Sequence, residues 1–95
     1  MTDPETVRAT ILVTGRVQGV GYRAFAFRVA TMRHLLGTVR NLDDGRVELE
    51  VEGPRARIES LLDDLKNGPP ASRVSAVQTE WGSATGRFVD FRVSY

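Results

Sequence analysis

Apolar residues recur along this 95-residue chain with a period that switches between two and about 3.6, which limits the fold to a small set. Alternation from Val7 to Val13 predicts a first strand that ends at Gly15. Helical spacing then runs from Tyr22 to about Arg33 and predicts an amphipathic helix. The chain therefore begins with a strand, a glycine-containing loop and a helix.

A hairpin and a second helix follow in the middle of the chain. Two strands, 37–42 and 46–52, flank Asp43-Asp44-Gly45, and an Asp-Gly pair favours a tight reversal. In the second strand, alternating polar residues predict one dry face and one wet face, and the wet residues are Glu48, Glu50 and Glu52. Apolar residues at 58, 61, 62 and 65 predict a second helix. The helix is expected to end at the segment 67–70.

Two further strands are predicted near the C-terminus, from about 73 to 80 and from 88 to 93, with a loop at 82–86. The element order is β-α-β-β-α-β with a short closing or split strand at the C-terminus. It predicts an α+β, ferredoxin-like split βαβ sandwich: a mainly antiparallel sheet with both helices on one face. We expect residues 1–6 to be a flexible segment and residues 7–95 to form a single domain. The topology does not name a function, because many unrelated functions share it.

The loop between the first strand and the first helix carries the strongest functional pattern. It runs Gly15-Arg16-Val17-Gln18-Gly19-Val20-Gly21-Tyr22-Arg23. Three glycines remove Cβ atoms and permit positive φ, so that successive backbone N–H groups can converge on an anion. The following helix adds unpaired N–H groups, and the guanidinium of Arg23 suits phosphoryl oxygens. The pattern predicts a phosphate-binding site.

Composition argues against several other classes of function. The chain has no cysteine, which excludes thiolate metal sites, heavy-metal carriage and disulfide frameworks. Its 13 basic residues are almost all arginine, but the net charge is only +1, which argues against general nucleic-acid binding. The first residues are polar and acidic, and no apolar run approaches membrane-spanning length. We therefore expect a cytoplasmic protein.

The nine-residue loop segment resembles the signature of the acylphosphatases, small ferredoxin-like enzymes that hydrolyse the carboxyl-phosphate bond. A second segment, Gly37-Thr38-Val39-Arg40-Asn41, resembles the family's second motif, and the similarity extends from about Arg8 to Tyr95. The resemblance implies two catalytic residues, Arg23 and Asn41, with Asn41 positioning the attacking water. It also implies that the phosphoryl group is held by the Arg23 guanidinium and by the backbone amides of Arg16, Val17, Gln18, Gly19, Val20 and Gly21.

The implied reaction needs few protein groups. The leaving carboxylate has a pKa of about 4 and departs at neutral pH without a general acid. An asparagine such as Asn41 cannot take a proton, but its amide can accept and donate hydrogen bonds and so orient water. Our hypothesis for the proton of the attacking water is that a phosphoryl oxygen takes it, so that the substrate acts as its own base. We expect an acyl phosphate substrate, inorganic phosphate as product, no metal, no cofactor, and a monomer that binds neither nucleic acid nor membrane.

Two other classes stay open at this point. A non-catalytic ferredoxin-like module that binds a small anion and regulates a partner shares the same loop, although pure binding does not require Asn41. An RNA-recognition module needs exposed aromatic residues on its central strands, and these strands carry threonines and glutamates instead. Taken alone, Arg23 also fits a surface ion pair and Asn41 a turn residue. Arg16 and Arg40 fit solvated side chains, and Gln18 a brace for the loop.

Overall fold

The computed structural model of the chain describes residues 5–95. Within this range the elements are β1 (Thr6–Arg16), α1 (Tyr22–Met32), β2 (Leu36–Asn41), β3 (Val47–Pro54), α2 (Arg55–Asn67), β4 (Arg73–Ser83) and β5 (Phe91–Ser94). The predicted flexible segment 1–6 falls mostly on residues 1–4, which lie outside the described residues, and Thr6 is the first residue of β1. The domain boundary after residue 6 stays a prediction.

The strands form one sheet in the order β4-β1-β3-β2-β5. β1 pairs antiparallel with β3 and β4, β2 pairs antiparallel with β3, and β2 and β5 run parallel. This arrangement confirms the predicted α+β, ferredoxin-like split βαβ sandwich with a mainly antiparallel sheet. Because β1, β2 and β5 share one direction, their C-terminal ends lie at the same end of the sheet.

The last two strands differ from their predicted bounds. β4 continues beyond residue 80 because Val7, at the start of β1, still pairs with Ser83. β5 begins only at Phe91, where the parallel pairing with β2 starts at Gly37. Residues 84–90, which we call the crossover, therefore connect one edge of the sheet to the other.

The core lies between one face of the sheet and the two helices. Alternate residues of the central strands are buried there: Ala9, Ile11, Val13, Val47, Leu49 and Val51. The hydroxyl of Tyr22 on α1 donates a 2.7 Å hydrogen bond to the backbone oxygen of Leu65 on α2 and joins the two helices. Burial raises the pKa of the Tyr22 phenol, so it remains a neutral donor. At 11 and 13 residues, both helices of the described chain are too short to cross a membrane.

Glu52 departs from the predicted wet face of β3, because it is only 2% exposed beneath the crossover. The backbone N–H groups of Thr85 and Gly86 and the Thr85 hydroxyl donate hydrogen bonds to its carboxylate, at 2.9, 3.0 and 2.6 Å. Burial raises the pKa of Glu52, but these hydrogen bonds and the charge of Arg87 outweigh it and leave that pKa below its usual value. The Glu52 carboxylate thus fastens the crossover to a central strand.

We expect Glu52→Gln to lower the free energy of unfolding by about 1–3 kcal/mol at neutral pH. The NH₂ group of glutamine cannot accept a hydrogen bond, so a buried N–H donor of the crossover loses its acceptor. The stability due to the ionised carboxylate is present above the unfolded pKa of about 4.3 and is lost as the pH falls through the lower folded pKa. Denaturant titrations should therefore show the difference from wild type shrinking below pH 4.3 or so. Glu59→Gln, on the exposed face of α2, is the control, and an equal effect of both variants would contradict the anchoring role.

Candidate active site

The two predicted motifs meet at the end of the sheet where β1, β2 and β5 finish. Val47 of β3 pairs with Val13 of β1 on one side and with Asn41 of β2 on the other. The segment after β1, residues 17–21, which we call the glycine loop, therefore lies near the end of β2. α1 begins directly after this loop and brings Arg23 to the same place.

A cavity of about 650 Å³ opens at this end of the sheet. Five of the eight predicted site residues line it: Val17, Gly19, Gly21, Arg23 and Asn41. Three others were predicted to act through their backbone amides, and their side chains lie outside the lining. Arg16 is exposed at the end of β1, Val20 packs against the core, and the side chain of Gln18 turns to the β2–β3 hairpin.

The three glycines of the motif have two different functions in the structure. Gly19 and Gly21 have φ of 74° and 80°, and a Cβ added to either would meet no atom within 4 Å. Gly15 has φ of 133°, and an added Cβ would lie 2.0 Å from the backbone oxygen of Arg73. The prediction that all three glycines serve the anion is therefore corrected. Gly15 permits β1 and β4 to approach at a β-bulge, and the other two form the open loop.

Backbone donors of the glycine loop are available to a guest. The N–H groups of residues 17–21 donate no backbone hydrogen bond within residues 5–95. At the start of α1, Gly21 provides no side-chain cap, and the first turn contains no acidic residue. No acidic side chain of the first turn therefore compensates the partial positive charge of this helix end, which favours an anion in the cavity.

Arg23 lies in the first turn of α1, at the wall of the cavity. Its Nη1 donates to the backbone oxygen of Ser94 at 3.3 Å, and its guanidinium carbon lies 4.7 Å from the centre of the Tyr95 ring. Among residues 5–95 it forms no salt bridge with a carboxylate. Since a guanidinium carries five N–H donors, most of them remain free to bind an anion.

Asn41 ends β2 with its side chain in the cavity lining. Its Oδ1 atom is buried and has no hydrogen-bond partner among the described residues. Burying an unpaired acceptor costs about 1–3 kcal/mol, so the position is poorly explained by stability alone. The atom is suited to accept a hydrogen bond from a molecule that enters the cavity.

Gln18 fixes the glycine loop relative to Asn41. Its Nε2 donates to the backbone oxygens of Leu42 and Arg46, at 2.8 and 3.0 Å, in the hairpin that directly follows Asn41. These two hydrogen bonds join the glycine loop to the hairpin, in agreement with the prediction that Gln18 braces the loop. Gln18 therefore sets the distance between the backbone donors and the carboxamide.

No Asp, Glu or His side chain is in the cavity lining among the described residues. His34 follows the C-terminal end of α1, whereas the cavity lies at the N-terminal end. Arg40 is exposed and pairs with Glu48 at 2.9 Å, as expected of a surface cation. Within residues 5–95, no three His, Asp or Glu side chains are grouped so as to hold a metal ion. The lining offers donors and one carboxamide, and no side chain for general acid-base catalysis at neutral pH.

Sequence reasoning missed the apolar part of the cavity. Six further lining residues have apolar or aromatic side chains: Tyr22, Ala24, Phe27, Phe91, Val93 and Tyr95. Phe27 could have been found from the sequence. It lies four positions after Arg23, which places both residues on the same face of α1. The residues of β5 could not, since their place depends on the crossover and the parallel pairing with β2.

Comparison with known proteins gives a consistent result over nearly the whole chain. The sequence model of the family described as Acylphosphatase matches residues 9–93. A relative named Acylphosphatase from an Anaeromyxobacter species is 48% identical over 91 residues, covering 96% of this chain and 98% of the relative. One of the same name from Thermus thermophilus is 52% identical over 79 residues, covering 83% and 90%. The crystal structure of acylphosphatase from Bacillus subtilis aligns with a TM-score of 0.90 at 39% identity, covering 94% of this chain and 99% of that one.

Proposed function

The chain belongs to the acylphosphatase family and hydrolyses the carboxyl-phosphate bond of acyl phosphates, and from this premise we propose which groups carry out the reaction. In this proposal the backbone amides from Arg16 to Gly21 and the guanidinium of Arg23 bind the phosphoryl group. The carboxamide of Asn41 orients the attacking water. No metal or cofactor takes part.

The observation that carries this proposal is the buried, unpaired Oδ1 of Asn41 in the lining of the cavity. A site that only binds an anion needs donors, and the glycine loop and Arg23 already supply them. An additional acceptor adds nothing to anion binding, because an acceptor oxygen donates no hydrogen bond to the phosphoryl oxygens. An acceptor is useful when it receives a hydrogen bond from water and fixes the direction of attack.

The proposed reaction has one displacement step at phosphorus. The water oxygen forms a bond to phosphorus while the bond from phosphorus to the acyl oxygen breaks, and its electron pair leaves with the carboxylate. One water proton moves to a phosphoryl oxygen, so an acyl phosphate dianion and water give a carboxylate and dihydrogen phosphate. The carboxylate is a weak base and departs unprotonated, which agrees with a cavity lining that lacks an acid-base side chain.

Rate enhancement comes from preorganised donors. Charge in the transition state is spread over the three equatorial phosphoryl oxygens, which need several donors from different directions. The backbone N–H groups of the glycine loop are held by Gln18 and by the buried side chain of Val17, and Arg23 is held by the end of β5. Because these groups are already in place, little reorganisation is needed during the reaction.

A cytoplasmic location and a monomeric state belong to the same proposal. They rest on the composition of the chain, with its net charge of +1 and no long apolar run. Size-exclusion chromatography with light scattering tests the monomeric state, and a stable dimer would contradict it.

The assay that tests the proposal follows loss of benzoyl phosphate by ultraviolet absorbance. Wild-type protein should hydrolyse it at the same rate with and without a chelator, because N–H donors and a guanidinium neutralise the phosphoryl charge. Inorganic phosphate should inhibit competitively, since the product occupies the same donors. Loss of activity on chelation, with recovery on adding a divalent cation, would contradict the metal-independent mechanism.

A further inference from the structure

The part of the cavity beyond the glycine loop is apolar. We define the apolar wall as Ala24 and Phe27 of α1 together with Phe91, Val93 and Tyr95 of the C-terminal segment. Phe27 lies one turn beyond Arg23, and its ring packs on Phe91 with the ring centres 6.3 Å apart and the planes tilted by 51°. The wall is therefore continuous with the proposed phosphoryl site.

The size of the cavity exceeds what a phosphoryl group alone requires. Its volume of about 650 Å³ falls in the range of sites that enclose a whole small ligand. Phe27 is 39% exposed, whereas its partner Phe91 is 7% exposed, so one ring of the pair is buried and the other is open to the cavity. With the phosphoryl group in the glycine loop beside Arg23, as the proposed function has it, the rest of a substrate extends into the remaining, apolar part.

The charge around the apolar wall favours an uncharged group. Besides Arg23, Arg92 is the one residue with a charged side chain in the cavity lining of the described chain. The Nε of Arg92 donates to both carboxylate oxygens of Asp90, at 2.9 and 3.1 Å, so its charge is already compensated. A second carboxylate or phosphate on the acyl group would have no free cation to bind on this side.

We propose that the apolar wall is the binding subsite for the acyl group, and that Phe27 and Ala24 give the enzyme a preference for aromatic or extended apolar acyl phosphates over short ones. This inference rests on the proposed function, because it takes the phosphoryl group to lie in the glycine loop. Phe27 supplies an aromatic face for the acyl group, and the small side chain of Ala24 leaves room beside Arg23.

Two variants and two substrates test the inference. Phe27→Ala should lower kcat/KM for benzoyl phosphate roughly five- to tenfold while kcat/KM for acetyl phosphate changes less than about twofold. Ala24→Leu keeps a good helix former at this position and fills the space beside Arg23. It should therefore also lower kcat/KM for benzoyl phosphate relative to kcat/KM for acetyl phosphate. The inhibition constant of inorganic phosphate should stay the same in both variants. Met32→Ala, an exposed apolar truncation on the same helix and outside this cavity, is the control.

The outcomes separate the two proposals. Wild-type protein that hydrolyses neither substrate would overturn the proposed function and this inference with it. Wild-type turnover of both substrates, with an unchanged ratio of benzoyl to acetyl phosphate in both variants, would overturn the acyl subsite and leave the proposed function standing. A fall in the ratio for Phe27→Ala and Ala24→Leu, with none for Met32→Ala, supports the subsite.

Discussion

Replacing Asn41 with alanine is expected to lower kcat for acyl phosphate hydrolysis by roughly 100-fold or more, while the inhibition constant of inorganic phosphate changes little. In the proposed mechanism the lost interaction is with the attacking water, so it affects turnover and leaves phosphate binding in place. The donors that we propose for the phosphoryl group, in the glycine loop and on Arg23, are untouched. Steady-state kinetics with benzoyl phosphate and with phosphate as inhibitor measure both quantities.

The same variant should not unfold the protein. Since Oδ1 of Asn41 is buried without a partner, its removal breaks no hydrogen bond of that atom and relieves an unpaired acceptor. We expect the free energy of unfolding to stay level or rise. A variant that is more stable but less active than wild type is typical of the replacement of a functional residue.

Asn67→Ala is the matched control for this prediction, because Asn67 is exposed at the end of α2 and does not line the cavity. It should leave kcat and phosphate inhibition at wild-type values. If Asn41→Ala weakens phosphate binding and lowers kcat by the same factor, Asn41 holds the phosphoryl group and does not orient water. A nearly wild-type kcat would remove Asn41 from the mechanism.

Replacing Arg23 with lysine should lower kcat/KM by roughly 100-fold or more and should also weaken inhibition by phosphate. Lysine keeps the positive charge but lacks the planar fork that binds two phosphoryl oxygens together. It also lacks the donor that reaches the oxygen of Ser94, so the ammonium group is less well held against β5. Ground-state binding and turnover are therefore both affected, unlike in Asn41→Ala.

Arg28→Lys serves as the control for Arg23→Lys. Arg28 is exposed on the same helix, outside the cavity lining, with its guanidinium near the Phe25 ring. The Arg28→Lys variant should have wild-type kinetics. If both variants have the same kinetics, a general positive field around α1 accounts for the effect, and the specific role of Arg23 is wrong.

The fold could be predicted from the sequence because each element carries a local signal. Alternation through Val7 to Val13 and through Val47 to Val51 matches residues that the structure buries on one face. The position of β5 could not be predicted to the residue. Its bounds follow from pairing with β2 after the crossover, and such distant pairing leaves no mark in a local pattern.

Part of the candidate site was predictable for a similar reason. The glycine loop and the motif ending in Asn41 are contiguous segments, and the structure brings Arg23 and Asn41 to one cavity. Glu52 was misplaced on a wet face because strand alternation does not report a segment that crosses over it. The unpaired Oδ1 of Asn41 could not be foreseen either, since burial and partners depend on the tertiary structure.

The central claim is that the backbone N–H groups of the glycine loop bind the phosphoryl group beside Arg23. An NMR titration of isotope-labelled protein with inorganic phosphate tests it most directly. The N–H resonances of residues 17–21 and the Nε–H of Arg23 should shift and saturate together with one Kd, in wild type and in Asn41→Ala alike. Loop resonances that stay in place at saturating phosphate, while residues elsewhere shift, would contradict the account.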